Sequence, residues 1–199
     1  MDSKLHVRSG RLALWTVPAL LALWGVSGSA LGGDEIGIFF DQSGRDNCIE
    51  ADLYSTQNGY ILLLEPTATG GISGWECSVE VENTTIVGVT LAGQAINLGS
   101  GQTDFAVGLT VPLPSRPAVE LAKLSVLVSA SGPVGFYIYP CASNPSLPDS
   151  PAYADGDDPG HLLPLAPRTM GPDALVAGIN RPECIPEDVT WGRVKATYD

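Results

Sequence analysis

Four cysteines, one histidine and a knot of aspartates are the residues here whose types could do chemistry. Cys48, Cys77, Cys141 and Cys184 are spaced too widely for a C-x-x-C metal or redox motif. An even cysteine count in an exported chain implies disulfides, here two, and three connectivities are open. Cys77 lies in GWECSVEV, sharing a strand face with Trp75 and Val79 and flanked by Glu76 and Glu80. Nearby carboxylates work against a thiolate, so Cys77 reads as a structural core residue and not as a nucleophile. We favour Cys77 with Cys141 and Cys48 with Cys184, the second pair fastening the tail. Each bridge contributes roughly 2–4 kcal/mol by restricting the unfolded chain.

His161 is the only histidine after His6, and a Ser–His–Asp triad would have to use it. No G-x-S-x-G elbow, H-E-x-x-H, Walker loop or G-x-G-x-x-G accompanies it. We assign no catalytic residue, and a hydrolase using His161 remains the enzymatic alternative, beside an undetected carboxylate pair. Asp155, Asp157 and Asp158, in YADGDDPGH with Asp149 nearby, offer hard oxygen ligands of the kind that hold calcium. Their spacing is not that of an EF-hand, and a solvated acidic loop is the plainer reading. No other cofactor is implied. Tyr137, Tyr139 and Tyr153 are candidate rings for stacking on a sugar, the first two on one strand face. Asn83-Thr84-Thr85 matches the N-glycosylation sequon.

The elements that must position these residues are strands. EIGIFFD, GYILLLEP, GWECSVEV, DFAVGLTVP, VELAKLSVLVSA, VGFYIYP and ALVAGIN all read with period two or as short apolar runs. GYILLLEP is apolar on both faces, as a central strand should be. In DFAVGLTVP, Phe105, Val107, Leu109 and Val111 align on one face. TQNG, TATGG, LGSGQ, PLPSRP and SASGP separate the runs with turn chemistry. Seven or eight short strands with such breaks predict an all-β, antiparallel two-sheet sandwich. Residues 142–173, rich in Pro, Gly and Asp, read as a long loop tucking Tyr153 and Leu162 to Leu165 onto the sheets. In the tail, Trp191, Val194 and Tyr198 fall on one helical face, which predicts a short C-terminal helix. It docks on the domain itself or offers Trp191 to a partner.

Residues 1–30 combine Lys4, Arg8 and Arg11 with the apolar run LALWTVPALLALWGV and a small-residue exit, SGSA. That is the pattern of a cleaved signal peptide, and the run is too short to span a bilayer. The domain is then 31–180 and the tail 181–199, with no membrane span after signal removal. Taking Lys4, Arg8, Arg11 and Asp2 from the ten basic and 22 acidic residues leaves a net charge of −14. So acidic a chain is a poor partner for nucleic acid.

The segment GYILLLEPTATGGISGWECSVEVENTTIVGVT resembles the early strands of cohesin-like modules and related bacterial carbohydrate-module sandwiches. VELAKLSVLVSASGPVGFYIYP is similar to their later strand pair, and WGRVKATY to a tail of exported bacterial proteins with the same sandwich. The resemblance covers roughly residues 34–140. It implies a jelly-roll-like sandwich of about eight or nine strands that binds and does not catalyse. True cohesins hold a dockerin on one sheet face, but none of their contact residues has a counterpart here. The expectation is an exported binding or structural module, periplasmic, on the cell surface or outside the cell. Its partner is an unknown protein or, alternatively, a polysaccharide.

Overall fold

The computed structural model describes residues 33–170 and 174–184. The expected signal peptide and the helix carrying Trp191 lie outside them. Thirteen strands are present among the described residues. They are β1 (Glu35–Phe39), β2 (Cys48–Ile49), β3 (Thr56–Leu64), β4 (Ile72–Glu82), β5 (Thr85–Leu91), β6 (Ala95–Asn97) and β7 (Asp104–Leu113). Then follow β8 (Ala118–Leu127), β9 (Val134–Tyr139), β10 (Ala152–Asp155), β11 (Leu162–Pro164), β12 (Ala166–Pro167) and β13 (Leu175–Ile179). A 3-10 turn at Pro182–Cys184 closes the described chain.

Two sheets face each other. Sheet A runs β12-β1-β3-β8-β5. Sheet B runs β11-β10-β4-β9-β13-β2, and β7 pairs the other side of β4 and carries β6. The sheets are mixed, not purely antiparallel, because β12 joins β1 and β2 joins β13 in parallel. Both parallel pairs are two-residue contacts at the ends of the sheets, where long crossovers return the chain. The alternation of β4 sends Trp75, Cys77 and Val79 inward, against Ile36 and Ile38 of β1 and Leu121 and Leu124 of β8. In β7, Phe105 and Val107 are buried as expected, but Val111 is exposed, because the strand there has run past the core.

As its double-sided pattern requires, β3 is central in sheet A. Its inward residues Ile61 and Leu63 enter the main core. Its outward residues Leu62 and Leu64 form a second small cluster with Phe39. The turn after β1 lies over that cluster. Asp41 fixes the turn by accepting hydrogen bonds from the backbone N–H groups of Ser43, Arg45 and Asp46. Gly44 has φ of +73°, and a Cβ there would stand 2.8 Å from Leu64, so the turn needs glycine on both counts.

The Pro-rich segment is not a structureless loop. It supplies β10, β11 and β12, whose few residues give no readable period. Tyr153 and Leu165 are buried, as expected, but Leu162 stays exposed. Tyr153 donates its hydroxyl proton to Asp34 and accepts the Ala68 N–H at 3.2 Å. It thereby fastens the chain just before β1 to the turn between β3 and β4.

Candidate interaction face

The outer face of sheet B is organised by one interrupted strand. β4 pairs β7 on one side, and on the other it pairs β10 along its first half and β9 along its second. β9 and β10 therefore lie end to end. The chain between them, residues 140–151, leaves the sheet and is held against it by two carboxylates. Glu76 accepts the Ser146 N–H and hydroxyl, both at 2.7 Å, and the Leu147 N–H at 3.3 Å. Asp104 accepts the N–H groups of Ala142 at 2.8 Å, Ser143 at 3.1 Å and Ser100 at 3.3 Å. Both carboxylates are buried. Burial alone would raise the Asp104 carboxyl. The bonds from Ser143, Ala142, Ser100 and the Cys141 thiol outweigh it and pull the pKa down to about 2. A carboxylate so fully satisfied is an anchor, and at neutral pH it is no proton donor.

Beyond Ser146 the same face opens into a trough of about 230 Å³. Registers across five strands define it. Ile96 lies opposite Gly108, Gly108 opposite Gly74, Gly74 opposite Ala154, and Ala154 opposite Leu162. The neighbouring row runs from Leu98 through Ala106 and Glu76 to Ala152. The floor is thus glycine and alanine apart from Glu76, whose carboxylate is taken up by Ser146 and Leu147. Leu98 (80% exposed) walls one side and Leu162 (36% exposed) the other, and Ile96 (60% exposed) in β6 stands outside the lining. Four strand spacings of about 4.8 Å put the opposing walls about 19 Å apart. Exposed Asp157 and Asp158 lie in the turn just beyond Leu162.

The candidate site residues fall as follows. Cys48 and Cys184 form a disulfide, as favoured from the sequence, and tie the final turn to β2. The pairing of Cys77 with Cys141 is not made, and both are buried free thiols. Cys77 is in the core between the sheets, whereas Cys141 sits beside Asp104 in the loop anchor. Burial drives the Cys77 thiol pKa far up, and Cys141, Asp104 and Glu76 add to the rise. Tyr153 is buried, which removes it as a sugar platform. Tyr137 is half-buried, and its hydroxyl bonds Glu82, which also pairs with Arg181 at 3.1 Å. Tyr139 is left as the one exposed ring of the three.

In the calcium candidate, Asp155 accepts the Asp157 N–H and Asp158 accepts the Gly160 N–H, so these two carboxylates cap their own loop. Among the described residues no group of three or more His, Cys, Asp or Glu is placed to hold a metal ion. A triad around His161 is not assembled either. Its ring is exposed, and among the described residues no hydroxyl or carboxylate hydrogen-bonds it.

No protein-family model matches the chain, and no curated protein matches it. The sixth cohesin of scaffoldin B from Acetivibrio cellulolyticus, in complex with a mutant Cel5 dockerin, is 14% identical, with a TM-score of 0.49. That alignment covers 74% of this chain and 98% of the cohesin. A type I cohesin–dockerin complex from Clostridium thermocellum gives 10% identity and a TM-score of 0.46, over 73% of this chain and 94% of that one.

Proposed function

We propose that this chain is an exported, non-catalytic module that seats one α-helix of a partner protein in the trough on sheet B. The observation that carries the reading is the trough's make-up: a floor of glycine and alanine beside the anchored Glu76, between exposed aliphatic walls. A helix with its side chains is about 10–12 Å across, which fits between walls about 19 Å apart once their own side chains are allowed for. Exposed aliphatic residues walling a concave surface are the mark of a binding site. The acidic turn at Asp157 and Asp158 favours a helix with Lys or Arg at the end that meets it. The Cys48–Cys184 disulfide supports export to an oxidising compartment, with residues 1–30 as the leader.

Gly108→Arg tests the site. A Cβ at Gly108 meets nothing within 4 Å, so the substitution fills the trough without straining the sheet. The wild-type chain and this variant, each immobilised, are exposed to secreted and surface proteins of the producing cell. Proteins held by the wild type and lost by the variant are the expected result. An identical set on both removes the trough as the binding site.

A further inference from the structure

Residues 83–115 carry a single charged side chain, the buried Asp104, although 16% of the chain is charged and its net charge is −12. This stretch builds β5, β6 and β7. It also holds four exposed aliphatic residues, Val87 (52% exposed), Ile96, Leu98 and Val111. β5 is the last strand of sheet A, and among the described residues it pairs only with β8. Ala92 sends its N–H to Leu121, on the β8 side. By the alternation of backbone groups, Val89 and Leu91 present theirs to the free side. Edge strands are ordinarily blunted by Lys, by Pro or by an inward charge, and TIVGVTL has none of these. Its one protection is a bulge between Ile86 and Gly88, which leaves Gly88 to Leu91 flat. Beside this edge, a cleft of about 240 Å³ opens between the sheets, lined by Val89, Leu91 and Phe105 among others.

We infer that β5 pairs antiparallel with β5 of a second copy of this chain, joining two A sheets across a two-fold axis. Charge selects the occupant. Two chains of net charge −12 repel over most of their surfaces, and at this edge β5 brings no charged side chain of its own. A basic partner would find nothing here to grip. A two-fold axis also needs a self-complementary patch, and an antiparallel edge strand is one. Paired about Val89, each copy sets Val87 opposite its mate's Leu91. The exchanged backbone bonds satisfy the groups left open, and each β5 partly covers the other's cleft. The trough is separate, because β5 belongs to sheet A.

The test is sedimentation equilibrium on the protein as isolated from its producing cell, beside Val87→Lys and Val89→Pro made in the same way. Val87→Lys supplies the missing edge charge at an exposed position. Val89→Pro deletes an N–H on the free side, where an edge strand tolerates proline, and Gly88 before it accepts the restriction. The expected result is a concentration-dependent dimer that tightens with added salt, as repulsion between acidic copies is screened. Each variant should weaken it by at least about tenfold. Circular dichroism shows which variants are folded, and one folded variant suffices. A monomer at every concentration overturns the inference. So does a dimer that a folded variant leaves unchanged, since that places the contact elsewhere.

Discussion

Asp104→Asn is the substitution by which the loop anchor stands or falls. The carboxylate accepts three backbone N–H groups, two on one oxygen and one on the other. An asparagine amide keeps one oxygen and turns an NH₂ donor toward N–H donors, so at least one buried contact becomes repulsive. The folded-state pKa is held at about 2, below the 3.8 of an ordinary aspartate. That depression corresponds to at most about 2 kcal/mol of stability at neutral pH. The sign follows from the direction. Because the folded value is the lower one, the stability is present above the unfolded value and is lost as pH falls through the folded one. Asp104→Asn should therefore cost about 2 kcal/mol at pH 7, or roughly 4–8 °C in Tm for a domain of this size. Near pH 2.5 the wild type has lost most of its advantage, and the gap should shrink below about 1 kcal/mol. Urea unfolding followed by tryptophan fluorescence at both pH values measures it. An equal gap at pH 7 and pH 2.5 refutes the electrostatic account, and no gap at either refutes the anchor.

Gly74 and Gly108 lie opposite each other in the trough floor yet should respond differently to alanine. A Cβ at Gly74 would stand 2.8 Å from the Val107 carbonyl oxygen, so Gly74→Ala should cost about 1–3 kcal/mol. Gly108→Ala should be neutral or slightly stabilising, and matching urea curves for the two variants would contradict the register. Tyr153→Phe removes the acceptor of the Ala68 N–H and the donor to Asp34, and should cost about 1–3 kcal/mol. A thermal melt unchanged from wild type would show that this tie contributes nothing. With the Cys48–Cys184 bond intact, thiol titration should find nothing reactive in the native protein and Cys77 and Cys141 once it unfolds. Reducing the bond should lower stability by roughly 3–5 kcal/mol, given the 136-residue separation it closes. Native-state labelling of Cys77 would contradict its place in the core.

The strands that bury one face were legible because alternation writes itself into the sequence. Trp75, Cys77 and Val79 alternate with Glu76, Ser78 and Glu80, and the structure places the first set in the core. What alternation does not carry is the fate of the outward set. Glu76 points away from the core, as the pattern says, yet it is buried, because residues 140–151 come down on it. That contact joins positions 70 residues apart and depends on β9 breaking and resuming as β10. The short strands β10 to β12 were hidden for a related reason. Proline and glycine dominate their segment, and two to four residues cannot establish a period. Among the cysteines, parity suggested two bridges, but parity does not report that Cys77 and Cys141 are both buried as free thiols.

The trough was invisible for a deeper reason. Apart from Glu76, its floor consists of glycines and alanines, residues that strand reasoning counts as weak positions with nothing to pack. They become a site only when four registers across five strands bring them into adjacent rows. A different kind of pattern did carry the information. Charge, not hydrophobicity, marks where this molecule can be approached closely. A chain so acidic keeps its surface apart from other proteins unless some part of that surface is neutral. One stretch, residues 83–115, is neutral outside Asp104, and Asp104 is buried as an anchor. That stretch supplies the Leu98 wall of the trough together with the unprotected edge of β5. A long uncharged run in an otherwise acidic sandwich is therefore a better guide to its contact surfaces than any single motif it contains.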